Sequence, residues 1–192
     1  MSAGARERIV LIGLRGAGKS AVGRRLAEAL GWSFVDTDAW VEERLQESIP
    51  SLFAAGAESR FRRAEEEALR VALGAAPVVI ATGGGLIERK ANRALLKGIY
   101  TVWLQAPAEV LAERCRGSDR PPLLAEPATA SGSASRAPLG ASGESGVQET
   151  RVMLRRRRRH YASCATLSLA TARLSIDEVC ERLERAWRDL VF

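Results

Sequence analysis

The sequence is poor in cysteine, histidine and aromatic residues, and the small number of cysteines excludes one class of protein. Its three cysteines, Cys115, Cys164 and Cys180, are odd in number and lack metal-ligand spacing. This excludes a small secreted domain held together by disulfides and predicts reduced thiols in the cytoplasm. There is one histidine, His160, and we assign it no chemistry.

The sequence also lacks long apolar runs. No run approaches the roughly 18 residues of a membrane-spanning helix, and residues 1–8 lack the apolar stretch of a signal peptide. With 192 residues, 46% of them hydrophobic and 27% charged, the composition is typical of one globular domain covering 1–192. We expect a cytoplasmic monomer without a membrane partner.

The net charge of +6 raises the question of nucleic-acid binding. Much of this charge comes from one run, Arg155 to Arg159, and aromatic residues that could stack on bases make up only 5% of the chain. No nucleic-acid motif accompanies the run. A smaller anion with phosphates or a carboxylate accounts for local arginines equally well, so we expect no nucleic-acid partner.

Short aliphatic runs alternate with longer segments of helical periodicity. The predicted strands are 8–12, 33–35, 78–81, 99–104 and 166–169. The predicted helices are 20–30, 39–46, 58–73, 108–116, an arginine-rich helix beginning near 150, and 176–190. Strands this apolar are buried on both faces, which predicts an α/β fold with a parallel sheet of about five strands flanked by helices.

A glycine-rich segment between the first strand and the first helix reads Gly-Leu-Arg-Gly-Ala-Gly-Lys-Ser, the P-loop pattern. Backbone N–H groups of such a loop surround phosphates, Lys19 would bridge the β- and γ-phosphates of ATP, and Ser20 would bind Mg²⁺. A glycine-rich turn with a chance Lys-Ser is the alternative, but the complete pattern in this context favours a P-loop NTPase-like fold. The predicted ATP-binding residues here are Gly13, Gly16, Ala17, Gly18, Lys19, Ser20 and Ala21.

Two further strand ends carry residues of interest. Asp36 and Asp38 follow the second strand, where one carboxylate could reach Mg²⁺ and the other a substrate hydroxyl. Alternatively, Asp38 could cap the following helix. Gly83-Gly84-Gly85 follows the third strand, where bare backbone can approach a ligand closely. Arg62, seen alone on a charged helix, is more typical of a solvated residue.

The motifs, taken in order, resemble those of the shikimate kinases over nearly the whole chain outside residues 125–148. They are the P-loop, Asp-x-Asp, Glu-x-x-Phe-Arg-x-x-Glu around Arg62, Thr-Gly-Gly-Gly at Thr82, and Arg-Pro-Pro-Leu-Leu from Arg120. The ordered set is specific, whereas no motif after the P-loop is specific alone. The resemblance implies a five-stranded parallel sheet, a mobile lid at 117–150, and a shikimate-binding subdomain after the second strand.

The resemblance also implies roles for individual residues. Lys19, Asp38 and Arg120 would be catalytic, with Asp38 binding shikimate hydroxyls and taking the acceptor proton. Arg120, in the lid, would reach the transferring phosphate, and Ser20 with Asp36 would hold Mg²⁺, Asp36 through water. Arg114 would lie against the adenine. The implied shikimate-binding residues are Asp38, Arg62, Gly83, Gly84, Gly85 and Arg157.

The chain departs from the family pattern at several places. Ala57-Glu58 replaces the Gly-Glu that precedes Phe-Arg, and the additional Pro122 shifts the register of Arg120 by up to one residue. The family's Arg-x-Pro-x-Tyr occurs without proline at Arg157 to Tyr161, so Arg158 could replace Arg157. The Ala-, Ser- and Gly-rich insert at about 125–148 is longer than usual and predicts a mobile surface loop.

These features predict an enzyme that transfers the γ-phosphoryl group of ATP to the 3-hydroxyl of shikimate with Mg²⁺. One alternative is another small-molecule P-loop kinase, acting on gluconate or a nucleoside monophosphate. Another is a regulatory module that binds nucleotide and shikimate without turnover, although Lys19, Asp38 and Arg120 are all present.

Overall fold

A computed structural model of the chain describes residues 7–116 and 144–191, which form five strands and eight α-helices. The strands are β1 (Arg8–Ile12), β2 (Ser33–Asp36), β3 (Val78–Ala81), β4 (Tyr100–Gln105) and β5 (Leu167–Ala170). The helices are α1 (Lys19–Leu30), α2 (Thr37–Leu45), α3 (Ile49–Ala54), α4 (Glu58–Gly74), α5 (Lys90–Leu95), α6 (Ala108–Arg114), α7 (Glu144–Cys164) and α8 (Ile176–Val191). A 3₁₀ turn, Leu86–Glu88, follows β3.

The sheet has the order β2-β3-β1-β4-β5, and all neighbouring strands are parallel. This confirms the predicted five-stranded parallel sheet. Strands β2 and β3 lie on one side of β1, and β4 and β5 lie on the other. The order in which strands are added to the sheet therefore changes direction next to β1. Ligands of open α/β sheets bind at the carboxyl ends of strands at such a point.

Hydrophobic cores lie on both faces of the sheet because β3 is apolar throughout and β1 is apolar at residues 9–12. Ile9–Ile12 of β1 and all of β3 are essentially inaccessible to solvent. One core includes Leu26 of α1 and Leu183 of α8, and the opposite core includes Leu69 of α4 and Tyr161 of α7.

A third, smaller core joins α2, α3 and α4 and contains Val41, Leu52 and Phe61. It lies after the second strand, where the resemblance predicts a shikimate-binding subdomain. This subdomain carries Arg62 at the edge of its core.

The structure corrects several predicted boundaries. Helices α3 and α5 are absent from the sequence prediction, and α2 begins at Thr37 rather than at residue 39. Residues 144–148, predicted as part of a mobile insert, are helical because α7 extends back to Glu144. Helix α7 packs on α6, and Arg151 of α7 forms an ion pair with Glu109 of α6.

Within the ranges that the structure describes, no helix is both long enough and apolar enough to span a membrane.

Candidate active site

The segment after β1 folds into a tight loop that leads directly into α1. Gly13 and Gly16 have φ angles of 144° and 82°, in the range that favours glycine. A Cβ at Gly13 would lie 2.5 Å from the carbonyl oxygen of Leu104, and one at Gly16 would lie 2.6 Å from that of Leu111. Glycine is therefore required both by the backbone and by close packing of the loop against β4 and α6.

The loop holds Lys19 in a buried position at the start of α1. Its side chain folds back over the loop, and Nζ donates a hydrogen bond to the carbonyl oxygen of Leu14 at 3.0 Å. Ala17 is buried inside the loop, while Ser20 and Ala21 lie exposed on the first turn of α1. The helix N-terminus and the ammonium group create a positive region suited to phosphates.

Asp36, at the end of β2, joins the loop to the second strand. The Ser20 hydroxyl donates to Asp36 Oδ2 at 2.5 Å, and Asp36 Oδ1 accepts from the backbone N–H groups of Asp38 and Ala39. Asp36 therefore caps α2, so the alternative that Asp38 is the cap is wrong.

The oxygens of Ser20 and Asp36 are of the type that Mg²⁺ prefers. Among the described residues there is no cluster of three His, Cys, Asp or Glu side chains that could hold a metal. The pair of oxygens therefore fits an ion that is bound together with phosphate oxygens rather than one enclosed by protein ligands.

The triple-glycine segment after β3 is approached by charged side chains from three elements. A Cβ at Gly83 would lie 2.5 Å from Asp38 Oδ1 and 2.7 Å from Glu65 Oε1. A Cβ at Gly85 would lie 2.8 Å from Arg62 Nη1 and 3.4 Å from Arg157 Nη2. Two carboxylates thus converge on Gly83 and two guanidinium groups on Gly85. A Cβ at Gly83 would displace Asp38 and Glu65, and one at Gly85 would displace Arg62.

Arg62 is not a solvated residue of a charged helix. Its Nη1 donates to Glu65 Oε2 at 3.0 Å, its Nε and Nη2 contact Glu58 Oε1, and its side chain is 20% exposed. Burial alone would lower the pKa of Arg62, but Glu65 and Glu58 outweigh this effect and raise it. The guanidinium therefore stays charged beside the glycines.

Arg157 and Arg158 have different surroundings, as expected for neighbouring residues that point about 100° apart on a helix. Arg157 is buried, whereas Arg158 is exposed. Arg158 borders an open cavity of about 390 Å³ at the carboxyl ends of β4 and β5, and the glycine segment does not line this cavity. One turn after Arg157, the Tyr161 hydroxyl donates to the carbonyl oxygen of Gly84 at 2.6 Å and ties α7 to the glycine segment.

Glu65 is a member of this cluster that received no role from the sequence. It is 1% exposed, and its Oε1 accepts no hydrogen bond from the described residues. Burial raises the pKa of Glu65 from 4.5 to about 7, with Arg62 opposing the shift and Asp38 adding to it. Its position three residues after Arg62 on α4 was the signal available in the sequence.

Glu65 predicts a specific pH dependence of stability in the absence of ligands. The pKa of Glu65 is about 7 in the folded protein, compared with 4.5 for a free glutamate in the unfolded chain. Between these two pH values the folded protein holds a proton that the unfolded chain has released. This contribution to stability is complete at low pH and is lost as the pH rises toward neutrality. The unfolding free energy of Glu65→Gln minus that of wild type should therefore increase as the pH rises from about 5 to about 8, as measured by urea unfolding. An equal difference at both pH values would contradict the prediction.

Two predicted residues, Arg114 and Arg120, are not part of the cluster around the triple glycine. Arg114, at the end of α6, is exposed, and its Nη1 lies 3.4 Å from the carbonyl oxygen of Gly16, next to the loop. Arg120 lies outside the described residues, as do residues 117–143 of the predicted lid. Residues 144–150 of that lid belong instead to α7.

The parallel sheet, the P-loop sequence between β1 and α1, and the charged side chains around the triple glycine are those of a P-loop kinase of small molecules. The family model described as shikimate kinase matches residues 15–187. A shikimate kinase of Symbiobacterium thermophilum is 41% identical over 181 residues, which cover 92% of this chain and 94% of the relative. The chain belongs to the shikimate kinase family.

Solved structures agree with this assignment. The shikimate kinase from Acinetobacter baumannii in complex with shikimate has a TM-score of 0.80 and 29% identity, with 93% of this chain and 91% of that chain covered. The shikimate kinase from Aquifex aeolicus has a TM-score of 0.74 and 31% identity, with 96% and 98% covered.

Proposed function

We propose that this chain phosphorylates the 3-hydroxyl of shikimate with ATP, giving shikimate 3-phosphate and ADP. The observation that carries the proposal is the pair of guanidinium groups at Gly85 beside the two carboxylates at Gly83. Guanidinium groups bind a carboxylate through two oxygens, and carboxylates accept hydrogen bonds from hydroxyls. Shikimate carries both groups, and the product would enter chorismate and aromatic amino-acid biosynthesis.

The two halves of the site have separate tasks in phosphoryl transfer. The loop amides and Lys19 would bind the β- and γ-phosphates and stabilise the charge on the transferring group. Arg62 and Arg157 would hold the shikimate carboxylate, so that the acceptor hydroxyl points towards the loop. Asp38 would accept the proton of this hydroxyl. At the same time the hydroxyl oxygen would form a bond to the γ-phosphorus, and the bond from that phosphorus to the β-phosphate oxygen of the departing ADP would break.

Ser20 and Asp36 are the residues that would hold Mg²⁺, with Asp36 acting through water. When bound, Mg²⁺ supplies positive charge that neutralises the phosphate oxygens. The Ser20–Asp36 hydrogen bond keeps both groups at the loop.

Several finer assignments belong to the same proposal. Arg114 would lie against the adenine, which its contact with the Gly16 carbonyl supports. Arg120 stays a prediction as the lid arginine that reaches the transferring phosphate. We propose a cytoplasmic monomer, in which the free thiols of Cys115, Cys164 and Cys180 suit a reducing compartment. Sedimentation velocity would test the monomer.

A coupled assay of ADP release tests the proposed function. With ATP and Mg²⁺, we expect turnover with shikimate and none with gluconate or nucleoside monophosphates. Phosphorus NMR should show the new phosphate on the 3-hydroxyl. If gluconate or a nucleotide is turned over in preference to shikimate, that compound is the substrate instead. If calorimetry shows that shikimate binds without turnover, the protein is a regulatory module.

Arg157 and Arg158 offer a matched pair for locating the carboxylate site. Arg157→Ala should raise the KM for shikimate at least about tenfold, because a buried charged hydrogen-bond partner is lost. Arg158→Ala should change it by less than about threefold, as expected for an exposed charge. Steady-state kinetics at saturating ATP distinguish the two. If Arg158→Ala has the larger effect, the shikimate carboxylate is bound by Arg158 rather than Arg157. If both effects are small, neither arginine binds it.

A further inference from the structure

Glu88 contacts two arginines of α7 from the end of the 3₁₀ turn that follows the triple glycine. Its Oε2 accepts a hydrogen bond from Arg157 Nη2 at 3.1 Å, and its Oε1 lies 3.2 Å from Arg156 Nε. The Glu88 side chain is 22% exposed, the Arg157 side chain 7% and the Arg156 side chain 65%. The contact with Arg157 is therefore shielded from water, whereas the contact with Arg156 is screened by it.

The nitrogen that Glu88 holds is the one that faces the predicted carboxylate site. Arg157 Nη2 lies 3.1 Å from Glu88 and 3.4 Å from the Cβ position of Gly85. Within the described chain, Arg157 Nε is buried and makes no hydrogen bond. Glu88 is thus the acidic side chain that orients this guanidinium, while Tyr161 holds the helix backbone one turn later.

The charges at the site support the same assignment. Burial raises the pKa of Glu88, but the hydrogen bond and the charge of Arg157, aided by Arg156, lower it overall. Glu88 is therefore ionised at neutral pH. Arg62 and Arg157 both approach Gly85, and two neighbouring positive charges repel each other unless each is balanced. Glu58 and Glu65 both contact Arg62, and Glu88 contacts Arg157, so that both guanidinium groups are in place before a substrate carboxylate arrives.

We propose that Glu88 is a positioning residue that sets the direction of Arg157 and thereby the affinity for the acidic substrate. This inference rests on the proposed function, in which Arg157 binds the shikimate carboxylate. Glu88 itself does not touch the reacting groups. Its replacement should therefore affect the binding of shikimate and leave the binding of ATP and the chemical step largely intact.

The test compares Glu88→Gln and Glu88→Asp with wild type. Glu88→Gln should raise the KM and the calorimetric Kd for shikimate by about 3- to 30-fold, the range of a coupling within one charged network. The kcat and the KM for ATP should stay within about twofold. Glu88→Asp retains the charge and should recover part of the loss. Thermal unfolding of each variant separates this effect from a loss of the fold, which would raise both KM values or abolish activity.

Two controls and one double mutant isolate the contact. Arg156→Ala removes the other partner of Glu88, and Glu109→Gln removes a separate ion pair of α7, with Arg151. Both should leave the KM for shikimate within about twofold of wild type. In an Arg157→Ala background, Glu88→Gln should cause no further loss, because the residue through which it acts is absent.

The outcomes separate the two proposals. A normal KM in Glu88→Gln, or an equal increase in the Arg157→Ala background, would overturn the positioning role while the wild-type enzyme still phosphorylates shikimate. A wild-type protein that neither binds nor phosphorylates shikimate would overturn the proposed function and with it this inference.

Discussion

Replacement of Lys19 by alanine is expected to lower kcat with shikimate by about 10²- to 10³-fold, the usual effect of removing one group that stabilises transition-state charge. The ammonium group lies against the loop that follows β1, held by the carbonyl oxygen of Leu14. Charge that develops on the transferring phosphoryl group would lose this partner. Binding of shikimate should change little, because the carboxylate site is formed by other elements.

The matched control for this substitution is Lys97→Ala, which removes an exposed lysine in the turn after α5. Its kcat should remain within about twofold of wild type. Coupled assays give the rates, calorimetry with shikimate tests the acceptor half of the site, and circular dichroism shows whether the fold survives. A folded Lys19→Ala enzyme with near-normal turnover would contradict the phosphate-binding role of the loop.

Strands β1 and β3 could be predicted to the residue because their sequences are apolar enough to require burial on both faces. Residues 8–12 and 78–81 are continuous β-branched or aliphatic runs, and each is followed by glycine within two residues. Such runs are buried on both faces in a parallel sheet. The other three strands differ from their predicted limits by one residue. Of these, β2 and β5 are half-exposed, whereas β4 is buried.

The missed helices depend on tertiary packing rather than on local pattern. Helices α3 and α5 have six residues each, too few for a periodic apolar face to be visible in the sequence. Both are stabilised by contacts with neighbouring elements, as when Asn92 of α5 donates to the carbonyl oxygen of Leu86. The start of α7 was not predicted because residues 144–148 continue a segment composed mostly of Ala, Ser, Gly, Pro and Glu, whereas the structure places them in the helix.

The residues of the site were predictable as members of motifs, but their arrangement was not. Arg62 alone is typical of a solvated charge, and its burial depends on Glu65 and on the subdomain core beneath it. No spacing in the sequence brings Glu88 to Arg157, because this contact requires α7 to return across the glycine segment. Long-range pairs of this kind are set by the topology of the sheet and its helices.

Arg62→Ala is expected to raise the KM and the Kd for shikimate by at least about 30-fold, which corresponds to about 2 kcal/mol for a buried charged hydrogen bond. Arg62 Nη1 points at Gly85 and is held there by Glu65. Without the guanidinium, the shikimate carboxylate retains Arg157 as its sole predicted partner. The Kd for ATP should stay within about twofold, because the loop that follows β1 is untouched.

The neighbouring Glu65 complicates this substitution and also provides its control. In Arg62→Ala, the buried carboxylate loses the charge that opposes the rise of its pKa, so part of the effect would come from an uncompensated Glu65. The double variant Arg62→Ala with Glu65→Gln removes that carboxylate charge and should recover stability in urea unfolding, but not the affinity for shikimate. Arg60→Ala removes an exposed arginine of the same helix, paired with Glu47, and should behave as wild type. If calorimetry shows ATP affinity falling as far as shikimate affinity, or if the double variant binds shikimate normally, Arg62 does not bind the carboxylate.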